Sequence, residues 1–363
     1  MNILSLILLI FALLGALDRI FGSKLGLGQE FEKGFMVLGP MALSMIGMIS
    51  LAPVIANLLG SIFDGFYNLF KIDPSIIPSA IFANDMGAAS VSKAIAKDPA
   101  IAMFNGLVVS SMMGCTFSFI IPFALGVTEK KHHKDMFLGL LCGIATIPIG
   151  CIVAGLMLKI KLGTLILNLL PIILLSCLIA AGLLFASNLT VKAFLYLGYA
   201  IKILITIGLA LSIIQFVTNK TIVKDLAPIS EGTMLCLNCS VVLCGAFPLI
   251  AVVSKIFARP IKKLGEILKI NEQAVQGLVA TPVTGTPTMQ MLNGMDSRGI
   301  ILNSALLTSA AFTFGSHFAF TQAFNPNYIL PVIIGKLISG ACALTAAILI
   351  TKNNKNNQTG MFT

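Results

Sequence analysis

The chain has 363 residues, of which 57% are hydrophobic and only 10% charged, and its mean hydropathy is +0.98. Such a balance leaves no room for a soluble domain and points to an all-α polytopic membrane protein. The net charge of +10 is spread over short Lys/Arg-bearing loops and is not gathered in one basic arm, so it reads as membrane orientation and not as nucleic-acid binding.

A helix needs roughly 20 apolar residues to cross a bilayer. The first run of about that length, residues 2–17, lacks a positive leading segment and a small-residue cleavage site, so it is expected to be a retained span and not a signal peptide. A second run covers 34–62. Then comes a different kind of stretch, 76–96, short and interrupted by Gly, Pro and polar residues, including Pro78-Ser79-Ala80-Ile81-Phe82-Ala83-Asn84-Asp85-Met86-Gly87. Continuous runs resume at 99–127, 136–158, 162–185, 193–217 and 233–257. A second interrupted stretch follows at 274–293, containing Ala280-Thr281-Pro282-Val283-Thr284-Gly285-Thr286-Pro287. The chain closes with runs at 299–323 and 329–350 and a short polar tail, 351–363. The expectation is about nine spans plus two re-entrant or broken helical segments.

Charge counting favours re-entry. If both broken stretches enter and return on the same side, the two faces carry 15 and 7 Lys/Arg; if both cross, the counts become 12 and 10. Cytoplasmic loops hold the Lys/Arg excess, so the first arrangement is preferred, with the N-terminus outside and the C-terminus in the cytoplasm. Lys202 and Lys336 fall inside spans and enter neither count.

Sliding the chain by 198 positions lays 34–120 on 232–318 without a gap, pairing Gly34 with Gly232, Gly47 with Gly245, Lys71-Ile72 with Lys269-Ile270, Gly87 with Gly285, Asp98 with Asp296, Asn105 with Asn303, Ser111 with Ser309 and Ser118 with Ser316. Twelve identities in 87 positions are little above chance for two apolar segments, so the shared layout carries the argument: a span, a basic connector, a broken stretch, an acidic residue, a span. An odd number of crossings between the copies turns the second one over. This is the inverted-repeat plan of secondary transporters, whose interrupted segments meet near the midplane to make the substrate site. The division expected is 1–192 for the first repeat with its connecting spans, 193–350 for the second, and the tail.

Asp85 is the one carboxylate among the 14 Asp and Glu that sits inside an apolar stretch, and an ionisable group at that depth marks a functional site by default. Flanked by Asn84 and Gly87, it offers a negative charge to a cation in a low-dielectric surround. The opposite stretch offers Thr281, Thr284, Thr286 and the carbonyls freed by Pro282 and Pro287 as hydrogen-bonding groups. Asn105, Asn303 and His317 on adjoining spans are candidate secondary ligands, with Phe314 and Phe318 as a cation–π face. A small polar cation fits both halves. Duller readings stand beside these: an Asp85 ion pair with Lys336 or Lys202, a packing role for His317, and interhelical bonding for Asn105 and Asn303. Cys236-Leu-Asn-Cys239 has redox spacing but lies in an expected span without the surrounding strand and helix pattern, and His132-His133 sits among lysines in a polar loop. No phosphate loop, zinc-protease motif or serine elbow occurs, so neither a cofactor nor a metal is expected.

Gln29-Glu30-Phe31-Glu32-Lys33-Gly34-Phe35-Met36, Asn84-Asp85-Met86-Gly87, Thr146-Ile147-Pro148-Ile149-Gly150-Cys151, Met295-Asp296-Ser297-Arg298-Gly299 and Gly335-Lys336-Leu337-Ile338 closely resemble the membrane permease of bacterial ethanolamine-utilisation systems, the EutH family. The resemblance covers nearly the whole chain. It implies uptake of ethanolamine across the bacterial cytoplasmic membrane. Because the uncharged amine leaks through lipid unaided, facilitated diffusion of the protonated amine, of most use at acid pH, is the expected mechanism, and the titratable Asp85 and His317 make a proton-coupled carrier the alternative. Its pattern departs at two places, Thr284-Gly285 where an Asn-Asn pair is expected and Ser316 where an Asp is expected. The partners implied are the small-molecule substrate and membrane lipid, and a homo-oligomer is compatible. An intramembrane lipid-headgroup enzyme using Asp85 and His317, and a scaffold that moves nothing, are the readings from other classes.

Overall fold

The computed structural model describes residues 3–359, leaving aside the side chains of residues 3–4, 61, 183–184, 187–188, 191, 254–264 and 352–359. The polar tail expected over 351–363 and the basic residues Lys255, Arg259, Lys262, Lys263, Lys352 and Lys355 therefore lie wholly or largely outside the described side chains. Every regular element among the described residues is helical: α1 (Ile3–Ile20), α2 (Leu27–Met36), α3 (Leu38–Phe70), α4 (Ile76–Ile81), α5 (Ala88–Ile95), α6 (Pro99–Met103), α7 (Ile121–Val127), α8 (His133–Met157), α9 (Leu162–Phe185), α10 (Ser187–Thr218), α11 (Ile229–Leu268), α12 (Glu272–Ala280), α13 (Gly285–Met291), α14 (Ser297–Ala310), α15 (Ser316–Phe324) and α16 (Ile329–Thr359). Two π-helical stretches, Phe104–Gly114 and Thr116–Ile120, join α6 to α7 as one long rod.

Seven helical stretches among the described residues are long and apolar enough to cross a membrane: 27–60, 99–127, 130–157, 162–182, 192–218, 229–253 and 326–351. Their burial sorts them. The apolar window of 99–127 is 78% buried inside the protein and that of 192–218 only 22%, so the first is the central rod and the second belongs to the lipid-facing wall. Leu174, Leu178, Tyr196, Tyr199, Phe216 and Val217 are exposed along that wall, as lipid contact requires. Close helix approach depends on missing side chains. Gly150 of α8 and Gly335 of α16 face each other so closely that a Cβ on Gly335 would stand 2.8 Å from the Gly150 carbonyl oxygen, the small-residue packing that membrane helices use.

Both expected broken stretches consist of short helices, α4 with α5 and α12 with α13. None of the four is long enough to span alone, since even the nine residues of α12 rise only about 14 Å. Each is entered through the same local chemistry. The helix before it, α3 or α11, ends on a lysine in the left-handed conformation, Lys71 (φ 55°) and Lys269 (φ 53°), which are 198 positions apart. Each is left through an aspartate, Asp98 or Asp296, standing at the N-cap of the following helix. Asp98 Oδ1 accepts from the amides of Ala100 (2.8 Å) and Ile101 (3.3 Å), and Pro99 takes the first helical position, where no amide is needed.

The expected continuous span 299–323 is instead two helices, α14 and α15, separated by a turn at residues 311–315. The reason is backbone pairing with the neighbouring broken stretch. Phe312 N–H donates to the Thr281 carbonyl (3.1 Å) and Phe314 N–H to that of Pro282 (2.7 Å). These bonds are incompatible with an unbroken helix, in which the same amides would serve the preceding turn. Phe312 takes φ 61°, an uncommon state for a bulky residue and one that proteins tend to keep at functional positions.

Candidate functional site

The two breaks and the Asp85 turn come together. Asp85 lies in a 3₁₀ turn, Asn84–Met86, between α4 and α5, and this turn packs on α15, α3 and the π-helical rod. Gly87 closes the turn at φ 94°, where an L side chain is strained. A Cβ there would also stand 2.6 Å from Met48 Cβ, so both conformation and space require glycine.

The Asp85 carboxylate points to the start of α15. Oδ1 is 3.7 Å from His317 Nε2, and the hydroxyl of Ser316 serves the same carboxylate. Asp85 thus faces the first turn of α15, the positive end of that helix, which favours an anion. On the far side of the imidazole, His317 Nδ1 is 3.1 Å from the Lys336 ammonium, which also donates to the Ser111 carbonyl at 2.5 Å. An ammonium has only protons to offer, so Nδ1 accepts and the imidazole proton resides on Nε2, facing Asp85. A chain of four groups results: the Ser111 carbonyl, Lys336, His317 and Asp85. Exposure separates them. His317 and Lys336 are each only 1% exposed, whereas 18% of the Asp85 side chain is accessible, so Asp85 is the member that an incoming molecule can touch.

Asn84 is fully buried, and neither its Nδ2 nor its Oδ1 has a hydrogen-bond partner. Buried amides are almost always paired, because leaving one unpaired costs on the order of 1–3 kcal/mol. The amide next in sequence to Asp85 therefore keeps a donor and an acceptor uncommitted inside the protein.

The remaining expected site residues divide. Thr284 and Thr286 are half-buried, and their hydroxyls carry no hydrogen bond among the described residues. Thr281 is committed elsewhere: its hydroxyl is 2.8 Å from the Gly277 carbonyl and 3.0 Å from Thr288 Oγ1. The carbonyls of Thr281 and Pro282 are taken by the amides of Phe312 and Phe314, which joins the two breaks. Asn105 exchanges bonds with Asn168 (2.6 and 3.2 Å) and donates to Ser75 Oγ (2.9 Å). Ser75 in turn bonds Asp73, whose other oxygen accepts the amides of Lys97 and Asp98. This cluster borders a cleft of about 340 Å³ lined by Tyr67, Asp73, Lys97, Asp98 and Asn168, at the α3–α4 connector and not at Asp85. Asn303 donates to the carbonyls of Ala274 and Gly299, both at 2.9 Å. Lys202 makes no ion pair among the described residues, while Lys336 reaches Asp85 only through His317.

Three residues at the site were not among the expected ligands. Ser111 contributes a carbonyl, to which identity gives no clue. Phe312 lies within the break and Ser316 directly follows it; the Phe312 ring lies 5.3 Å from the His317 ring, in the place expected for Phe314 or Phe318. Cys236 and Cys239 are buried in the apolar core, with Cys236 Sγ 3.9 Å from Met45 Sδ.

Comparison with known proteins accords with the resemblance in the motifs. The model of the family described as "Ethanolamine utilisation protein, EutH" matches residues 1–350. A protein of Listeria monocytogenes named "Probable ethanolamine permease EutH" is 41% identical over 99% of this chain and 98% of its own length. One of the same name from Salmonella typhimurium is 34% identical over 96% of this chain and 95% of its own, and a Bacillus subtilis protein, "Uncharacterized protein YxeR", is 37% identical over 95% and 93%. No solved structure matches.

Proposed function

This chain belongs to the EutH family of ethanolamine utilisation proteins, a family of multi-pass membrane permeases and not of enzymes, and from that premise we propose that it takes up ethanolamine as the ethanolammonium ion, held at Asp85. The observation that carries the reading is a partly accessible carboxylate at the meeting point of three helix breaks. The ammonium docks on Asp85, the hydroxyl exchanges hydrogen bonds with Asn84, and Thr284 and Thr286 supply further oxygens. Gly87 keeps the turn close to Met48, and His317 orients the carboxylate. Thr281, Asn105 and Asn303 hold the frame of the site.

Transport then proceeds by alternating access with no chemical step. Segments 34–120 and 232–318 act as inverted repeats that rock about Asp85, within units 1–192 and 193–350, with the N-terminus outside. Lys71 and Lys269, Asp98 and Asp296, and the breaks at Asn84–Gly87 and Pro282–Gly285 recur at the same spacing, which supports this arrangement. Transport is passive. Neutral ethanolamine crosses lipid unaided and its cation does not, so the carrier's advantage grows as pH falls and the cation predominates.

The test is uptake of radiolabelled ethanolamine into proteoliposomes against protein-free vesicles from neutral to acid pH. The ratio of the two rates is expected to rise as pH falls. A ratio that stays at one refutes the proposal, and accumulation driven by an imposed pH gradient replaces the passive reading with a coupled one.

A further inference from the structure

Lys336 is the one charged group in the described site that the proposed transport step leaves unused. It projects from α16, a lipid-spanning helix, yet it is 1% exposed and ends at His317 Nδ1 and the Ser111 carbonyl. A lysine at such a position is expensive, and apolar residues would pack as well. The groups that face it are Asp85 through the imidazole, and the thiols of Cys115 on the central rod and Cys151 on α8. Only Asp85 supplies a negative charge to match it. The two together are neutral, and His317 lies between them as a neutral bridge.

A passive carrier must turn over both loaded and empty, and the Asp85–Lys336 pair makes the empty site the neutral one. With substrate bound, the ammonium of ethanolamine neutralises Asp85. Without it, the carboxylate would have to move through the protein's interior alone, where an isolated charge is strongly disfavoured. We propose that Lys336 is a tethered counter-cation, a positioning residue that neutralises Asp85 through His317 in the empty carrier and yields that part to the substrate's ammonium in the loaded one. This rests on the transport reading above. Substrate does not touch Lys336. His317 Nε2 stands 3.7 Å from Asp85 Oδ1, beyond hydrogen-bond length, so the imidazole separates the two charges and the substrate's ammonium breaks no bond in reaching the carboxylate; the loaded site then carries one net positive charge, held on Lys336 by the Ser111 carbonyl.

The experiment separates two modes of transport by full-length protein in proteoliposomes: net ethanolamine flux into empty vesicles, which needs the empty carrier to return, and exchange between labelled and unlabelled ethanolamine at equal concentrations, which does not. Lys336→Gln removes the charge and keeps hydrogen-bonding atoms. It is expected to lower net flux at least tenfold while leaving exchange within about threefold of wild type, and Lys336→Arg is expected to retain both modes. Equal losses in net flux and exchange, or no loss in either, overturn the proposal. A Gln variant that cannot be purified folded while the Arg variant can makes the charge architectural, and overturns it too. Wild-type protein that moves ethanolamine in neither mode defeats the transport reading itself, a distinct result.

Discussion

Replacing Asp85 by Asn keeps the shape of the turn and removes its charge. At about 3 Å, an ammonium and a carboxylate attract by about 5 kcal/mol if the effective dielectric is about 20. Not all of that is available. With 18% of its side chain accessible and Ser316 and His317 beside it, the carboxylate already has partners that the substrate must share or displace. The net value falls to that of a charge-assisted hydrogen bond, about 1.5–3 kcal/mol, which is roughly a 10- to 150-fold loss of affinity. The Lys336 charge, no longer matched, repels a cation and acts in the same direction. Radiolabelled ethanolamine uptake at acid pH, in proteoliposomes carrying equal amounts of folded protein, is therefore expected to need at least tenfold more substrate for half-maximal rate. Wild-type concentration dependence in the Asn variant would refute the assignment of Asp85 to the ammonium. The double variant Asp85→Asn with Lys336→Met is expected to regain any thermal stability lost by the single one, because both charges are gone, without regaining uptake.

Three other substitutions test the surroundings. Asn84→Leu, which deletes a buried amide without a hydrogen-bond partner, should leave the unfolding temperature unchanged or raised while weakening substrate affinity about tenfold; a large fall in stability would mean that the amide is paired inside the protein. Gly87→Ala meets a positive φ and Met48 together, so a loss of about 2–4 kcal/mol is expected, and an unshifted thermal unfolding midpoint in detergent would contradict the geometry. Asn105→Leu strands the Asn168 amide and a Ser75 bond at a cost of about 2–4 kcal/mol. Surviving protein should show normal substrate affinity, and a raised half-saturation concentration would return Asn105 to the site.

The helical membrane class was legible because composition reports directly on the solvent a chain must face. The breaks at 82–87 and 281–284 were legible too, since Gly, Pro and polar residues interrupt the apolar pattern there. The break at 311–315 was not. Ala311-Phe312-Thr313-Phe314-Gly315 is apolar enough to pass for helix, and what interrupts it is a pair of carbonyls about 30 residues earlier in the chain. Hydropathy reads side chains, whereas this break is made by backbone. At the site, Asp85 and His317 stood out as rare titratable residues in apolar surroundings. Their order did not: a direct ion pair of Asp85 with Lys336 or Lys202 stood only as the duller alternative, and packing of α15 against α16 sets the imidazole between Asp85 and Lys336. Asn105 and Asn303 show the converse, because polarity within a span is equally consistent with a ligand and with the bonds to Ser75, Asn168, Ala274 and Gly299 that they make.

The two hydrogen bonds from Phe312 and Phe314 to Thr281 and Pro282 also bear on where motion can be observed. They fasten two separate chain breaks into one piece, so spectroscopic labels placed across 281 and 312 should report a constant separation throughout the transport cycle. Labels spanning 84 and 316 join the Asp85 turn to that piece through side chains alone, with no backbone bond between them, and there a change in distance is to be sought. The same stitching couples the two segments under mutation: a substitution that alters the course of the chain at Pro282 is expected to be rescued by a second change near Phe314 and not by one elsewhere in its own helix.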